Sequence, residues 1–422
     1  MKFINKNNRA IFVLMAFMFF SIVCRYLAAI NHAGGERYIQ YMLYMEAIIC
    51  IPLLVYSINN DRSNLFLSGK QFITFVAIYM FFEGGNQIIF IGNLSYLFPD
   101  AVFWIFFISM FCFGASKNMW KSFIPVALII ISFTAFYTLY EFATLNTSYI
   151  IGQRDENSYI YQIQLGFAPA TLLLVYSLLC KKKTYSTISI LVFGLYFVLQ
   201  FFFQKRLPLL RISLFLIVLL YIISKFLSSN QKVKTYILVI TVAVVSIMLI
   251  PEEYYNATID RFFQGGSVEQ TTKTDERYLI VEKALVVTTN SLRTLLFGQG
   301  LGGYILGDFY GKFLNVNGRQ VDGIAAIEVG AATIIMRYGF IFFFVLYGYI
   351  TRQLVSFRKY KKNPLAIACW SYLLVFFIMS LIGESFPGVD TPLNTLLVAG
   401  SMGYLSSPQS RVNEMSFDEK NN

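Results

Sequence analysis

The chain has 422 residues, of which 57% are hydrophobic and only 14% are charged. Soluble proteins carry about 25% charged residues, so this composition excludes an ordinary soluble domain and indicates a membrane protein. The net charge of +11 would suggest a nucleic-acid partner in a soluble protein, but cytoplasmic loops of membrane proteins collect Lys and Arg anyway, and we expect no nucleic acid.

Residues that commonly bind metals or act as nucleophiles are scarce. His32 is the only histidine, and the five cysteines lie in apolar runs without close spacing. This leaves little basis for a Ser-His-Asp triad, a zinc site or a disulfide framework. We therefore expect neither a metal nor another cofactor.

Twelve apolar runs approach the length of about 20 residues that a membrane-spanning helix requires. They cover residues 10–30, 38–58, 71–91, 101–116, 122–141, 164–180, 186–203, 209–227, 235–250, 328–350, 364–382 and 391–406. The predicted fold is an all-α polytopic membrane protein with about 12 transmembrane helices and one large, partly helical extracytoplasmic loop. Nine helices fall in residues 1–250 and three in 328–406, with the loop at 251–327 and a cytoplasmic tail at 407–422.

The orientation follows from the charges of the short loops. More than half of the 34 Lys and Arg residues fall on one side when both termini are placed on that side. Short cytoplasmic loops are rich in these residues, so both termini are predicted to be cytoplasmic and the large loop external.

Six charged residues lie in or near the apolar runs: Arg25, Glu46, Glu83, Glu141, Arg337 and Glu384. Such charges are costly in lipid and usually face the interior of a helix bundle or a wet cavity. For Glu46 and Glu83, a buried ion pair that fixes helix packing is at least as plausible as a function. Arg337 and Glu384 lie close to the external loop, which slightly favours a functional role.

Two glycines follow Glu83 in the third apolar run. Paired glycines weaken a helix, so Gly84 and Gly85 predict a break in the third span.

The external loop contains one strong helical pattern. Thr274 can cap a helix that continues as ERYLIVEKALVVTT, with an apolar stripe that includes Val281, Ala284 and Thr288. Arg277 shares that stripe. Because an arginine on an apolar stripe is costly unless an anion meets it, Arg277 is the sharpest functional signal in the loop.

A cluster of glycines follows this helix. Gly298, Gly300 and Gly303 match a dinucleotide-binding spacing, but no strand precedes them, so that interpretation fails. The cluster predicts a tight turn that returns the chain toward the bilayer. Backbone amides that touch a phosphate are a less favoured alternative.

Three stretches of the chain resemble segments of the bacterial O-antigen and capsular polysaccharide polymerases (Wzy-type), a family in the superfamily that also contains the O-antigen ligases. The stretches are GQRDENSYIYQIQLGFAPA (152–170), FFFQKRLPLLRISLFLIVLLY (201–221), and DERYLIVEKAL with the glycine turn followed by AIEVGAATIIMRYGFIFFFVL (326–346). The resemblance also covers the architecture of about a dozen spans with one late external loop. Lys205-Arg206 stands where the family often has a Ser-Arg pair. Glu328 stands where the ligases have a histidine, which favours the polymerase branch.

The resemblance implies a metal-independent glycosyltransferase of the bacterial cytoplasmic (inner) membrane. Its substrates would be undecaprenyl-diphosphate-linked oligosaccharides at the outer leaflet, and a chain-length regulator is a possible partner. The residues expected to bind the diphosphates are Arg277, Arg293, Arg206 and Arg154. Glu328 is the expected general base, with Asp322 as the next candidate.

Other functions stay open at this point. A ligase would share the donor and most of the arginines, and only its acceptor would differ. A transporter or flippase of lipid-linked oligosaccharide would line its path with the intramembrane charges, although no clear internal repeat is present. A membrane scaffold would give Arg277 no purpose.

Overall fold

The computed structural model describes the backbone of residues 48, 51–52, 54–56, 58–59, 62–90, 94–144, 164–202, 206–248, 276–301, 305–306, 314–316, 319–321, 323–324, 329–383 and 392–412, and the side chains of most of these. The predicted span at 10–30 and most of the span at 38–58 lie outside the described residues. The predicted break at Gly84 and Gly85 lies inside them.

The described part of the chain is predominantly helical. Its α-helices are α1 (Leu67–Phe90), α2 (Leu94–Gly114), α3 (Lys117–Thr144), α4 (Gln164–Leu179), α5 (Lys183–Phe202), α6 (Arg206–Phe226), α7 (Ser229–Met248), α8 (Glu276–Thr289), α9 (Leu292–Phe297), α10 (Gly330–Val355), α11 (Pro364–Ile382) and α12 (Pro392–Leu405). All except α8 and α9 coincide with predicted apolar runs, and α8 is the helix predicted in the external loop.

Three stretches of the described residues are long and apolar enough to cross a bilayer: Leu209–Phe226, Gly330–Lys359 and Pro364–Ile382. Shorter apolar helices lie at Asp100–Gly114, Phe123–Phe136, Phe167–Leu179, Lys183–Val198 and Thr395–Leu405. These helices suit a membrane-embedded protein. The count of 12 spans stays a prediction.

Four strands of two or three residues each accompany the helices in the described part of the predicted loop. Strand β1 (Ile305–Leu306) pairs with β4 (Gly323–Ile324), and β2 (Leu314–Val316) pairs with β3 (Arg319–Val321), both antiparallel. The sequence Asn317-Gly318 between β2 and β3 is a common signal for a two-residue hairpin connection.

The predicted break at Gly84 and Gly85 is wrong, because α1 runs without interruption from Leu67 to Phe90. A glycine costs about 1 kcal/mol in a helix but does not forbid it, and packing overrides this propensity. Gly84 lies against the loop segment, where an added Cβ would come within 3.4 Å of the Leu301 side chain.

The closest helix packing in the core joins α2 and α12. A Cβ added to Gly403 would overlap the carbonyl oxygen of Phe111, and one added to Gly114 would overlap that of Gly400. Small residues allow helix backbones to approach in this way inside membranes, where dispersion contacts drive association. Beside this pair, α11 is buried along most of its length.

Gly403→Ala should therefore destabilise the protein by about 1 to 3 kcal/mol, the usual cost of overpacking a filled core. Gly348→Ala is the matched control, because nothing lies within 4 Å of a Cβ added there. Thermal unfolding of the purified proteins in detergent measures the difference. Equal melting temperatures for the two variants would refute the close α2–α12 contact.

Several segments predicted to be cytoplasmic meet at one end of the helix packing. The Phe66 N–H donates to the Ser406 carbonyl at 2.8 Å, and the Arg411 guanidinium lies 4.0 Å from the centre of the Phe66 ring. The Asn363 side chain donates to the Gln409 carbonyl at 2.9 Å. These contacts bring together the ends of α1, α11 and α12 that were assigned to one side, while which side of a membrane they face stays a prediction.

Candidate functional site

Helix α8 packs against the first half of α10 through the predicted apolar stripe. Ala284 and Thr288 are buried, and Ala284 forms a small cluster with Ala332 and Met336 of α10. The Thr288 hydroxyl donates to the Ala284 carbonyl at 2.7 Å, which satisfies this buried polar group. The stripe is confirmed for these residues, and α8 is folded onto α10 at this point.

The short helix α9 holds Arg293 in a defined position. The Ser291 side chain accepts a hydrogen bond from the Thr294 N–H at 3.0 Å, and the Thr294 hydroxyl accepts one from the Ser291 N–H at 3.2 Å. This reciprocal capping fixes where α9 begins. Arg293 lies in the first turn, and its side chain is exposed.

A cavity of about 470 Å³ lies between α1 and α9. Its lining residues are Phe75, Ile78, Tyr79, Phe82, Glu83, Arg293 and Phe297. Five of them are aromatic or aliphatic, and Glu83 and Arg293 are the charged residues among them. Glu83 is only 4% exposed.

Arg337 of α10 forms a buried ion pair with Asp100 of α2. The Arg337 guanidinium donates to Asp100 Oδ1 at 2.6 Å, and the Tyr338 hydroxyl donates to Oδ2 at 3.1 Å. Both partners of the ion pair are about 5% exposed. The ion pair joins α2 to α10, since intramembrane charges usually pair with one another. The functional role favoured for Arg337 from the sequence stays a prediction.

The glycine turn after α9 uses its amides within the protein. Gly298 and Gly300 have positive φ angles of 76° and 92°, which confirms the predicted tight turn at these positions. The N–H of Gly298 donates to the Thr294 carbonyl, that of Gln299 to Met336, and that of Gly300 to Arg337. Because these three amides are engaged, the alternative in which the turn cradles a phosphate is wrong for them.

Of the residues predicted from the sequence, Arg293 is the one whose side chain the structure places, and it lines the cavity. Arg277 lies in the first turn of α8 and Arg206 begins α6, but their side chains are not among those described. Arg154, Asp322, Glu328, Thr274 and Gly303 lie outside the described residues.

Three residues near the site were not expected there. Glu83 was noted as an intramembrane charge but not linked to Arg293, because 210 positions separate them in the chain. Tyr79 carried no signal apart from its place on the same helical face as Glu83, four residues away. Asp100 stands at the start of an apolar run, where an acid next to a membrane span could have been paired with Arg337.

No protein-family model matches this chain, and no match was found among the curated proteins.

Proposed function

We propose that the chain is a surface-polysaccharide polymerase, which joins undecaprenyl-diphosphate-linked oligosaccharide repeat units at the outer face of the bacterial cytoplasmic membrane. The observation that carries this proposal is the apolar cavity between α1 and α9, to which the folded external loop brings the exposed Arg293. An apolar cleft with a guanidinium suits a ligand that is part hydrocarbon and part polyanion.

The chemistry of the donor explains why an arginine is needed. When the growing chain leaves its carrier, negative charge develops on the diphosphate, and a fixed guanidinium stabilises that charge in the transition state. Arg293 is the described candidate for this role, and Arg277, Arg206 and Arg154 are further candidates from the resemblance. A guanidinium also binds two phosphate oxygens at once, which orients the leaving group.

The acceptor must lose a proton when its hydroxyl attacks the sugar carbon. The proposed base is Glu328, with Asp322 as the alternative, since the chain has one histidine and a carboxylate can take that proton. In the sequence, Glu328 comes two residues before the first residue of α10, at the end of the predicted external loop.

A gene deletion in the native host separates this proposal from the other functions. Loss of a polymerase leaves single repeat units and no long polymer. Loss of a ligase instead leaves full-length polymer on undecaprenyl diphosphate, and loss of a flippase leaves repeat units on the cytoplasmic side. Either of the last two results would contradict the proposal.

Glu328→Gln should lower the rate of polymer formation by about 10²-fold, the lower range for a positioned base. The amide keeps the shape of the side chain but cannot accept a proton as a carboxylate does, and Glu328→Asp should retain part of the rate. Glu282→Gln is the control, because Glu282 is exposed on α8. If Glu328→Gln polymerises at the wild-type rate in isolated membranes, Glu328 is not the base, and Asp322 is the next residue to test.

A further inference from the structure

Helix α10 is kinked at Gly339. The backbone of Gly339 has φ 72° and ψ 178°, angles outside the helical region that favour glycine. At such a kink, the carbonyls of the preceding turn lose the N–H donors that a straight helix supplies four residues later. In a buried segment these carbonyls need other donors.

Donors from two other elements replace them. The Met336 carbonyl accepts from the Gln299 N–H at 2.9 Å, and the Arg337 carbonyl accepts from the Gly300 N–H at 2.8 Å. The Tyr338 carbonyl accepts from the Tyr79 hydroxyl at 2.5 Å. The kinked turn is thus hydrogen-bonded to the segment that follows α9 and to Tyr79 of α1, which lines the cavity.

The two backbones touch where both residues are glycine. A Cβ added to Gly298 would overlap the carbonyl group of Arg337, and one added to Gly339 would overlap the carbonyl of Leu296. Both glycines have positive φ. A side chain at either position would therefore be strained and would also push α9 away from α10.

The kinked turn is also held in place by α2. The side chains of Arg337 and Tyr338 both donate to Asp100 of α2, so this part of α10 is tied to the core while its carbonyls face the loop segment. A turn fixed in this way can set the position of α9 and of the segment that follows it.

We propose that residues 336–339 form a seat for α9, and that Gly298, Gly339 and Tyr79 are positioning residues that hold Arg293 at the cavity. The seat transmits its effect through Arg293, which lies three residues before Leu296 at the contact. This role rests on the proposed function, because it takes Arg293 to be a substrate-binding residue. Tyr79 connects the seat to the cavity, since its hydroxyl donates to the Tyr338 carbonyl and its side chain lines the cavity.

The seat is tested without any activity by a nitroxide spin label on Leu292→Cys, a position 71% exposed at the start of α9. Signal from native cysteines is measured in the chain without Leu292→Cys and subtracted. The label should be immobile in the otherwise wild-type chain and in Gly348→Ala, and mobile in Gly339→Ala. Since Gly339→Ala also strains α10, Tyr79→Phe is a second variant and should loosen the label to a smaller degree. An unchanged spectrum in both variants would overturn the seat.

Polymer formation tests the positioning role. Gly339→Ala alone should lower the rate by about 10²-fold, the effect of moving a binding group by about 1 Å. In the Arg293→Lys background the same change should cost much less, because residues that act through one group are not additive. Equal losses in the two backgrounds would overturn the positioning role. A wild-type protein that makes no polymer would refute the proposed function, while the spin-label result would still decide whether the seat exists.

Discussion

Arg293→Ala is expected to lower polymer formation by about 10²- to 10³-fold, the usual loss when one group that stabilises transition-state charge is removed. Arg293 is exposed, so its removal should leave folding and membrane insertion intact. Arg293→Lys should recover part of the rate, because a point charge remains but the bidentate contact is lost. The measurement is the rate of repeat-unit joining in isolated membranes.

The control for this prediction is Arg352→Ala, which removes an exposed arginine from the far end of α10. It should polymerise at the wild-type rate. Arg277→Ala should behave like Arg293→Ala, with single-repeat products accumulating. Full activity in Arg293→Ala would show that the cavity between α1 and α9 is not part of the donor site.

Asp100→Asn should destabilise the protein by about 3 to 5 kcal/mol, because it leaves the buried Arg337 guanidinium without its carboxylate. The cost of a buried unpaired charge is far larger than the small gain of an exposed ion pair. Thermal unfolding in detergent, with and without the substitution, measures the loss.

Two further variants show whether the charge is the cause. Tyr338→Phe keeps both charges, removes the 3.1 Å hydrogen bond to Asp100 and should cost about 1 kcal/mol. The double variant Asp100→Leu/Arg337→Met removes both charges and should recover much of the lost stability, as apolar replacements of buried pairs often do. If the double variant is as unstable as Asp100→Asn, the unpaired charge is not the reason.

The sequence predicted those parts of the fold that depend on local pattern. The run at 364–382 matches α11 in both bounds, because Asn363 caps the helix through its side chain and Pro364 fits the first turn. The stripe through Ala284 and Thr288 predicted the buried face of α8, since a 3.6-residue period places these residues together.

The parts that depend on contacts between distant residues were not predicted. Asp100 and Arg337 are 237 positions apart, so no local pattern joins them. The kink at Gly339 was equally hidden, because a single glycine inside an apolar run is compatible with a straight helix. The donors that stabilise the kink come from Gln299, Gly300 and Tyr79, which are distant in the chain. The cavity beside Arg293 follows from this docking and not from α1 or α9 alone.

Reconstitution of the purified protein into liposomes tests the proposed polymerase activity most directly. The liposomes would hold the host's undecaprenyl-diphosphate-linked repeat units, no other protein, and a chelator to exclude metal catalysis. We expect a ladder of products with two or more repeat units, one undecaprenyl diphosphate released per bond formed, and loss of the ladder in Arg293→Ala. Repeat units that stay single in the presence of a folded wild-type protein would contradict it.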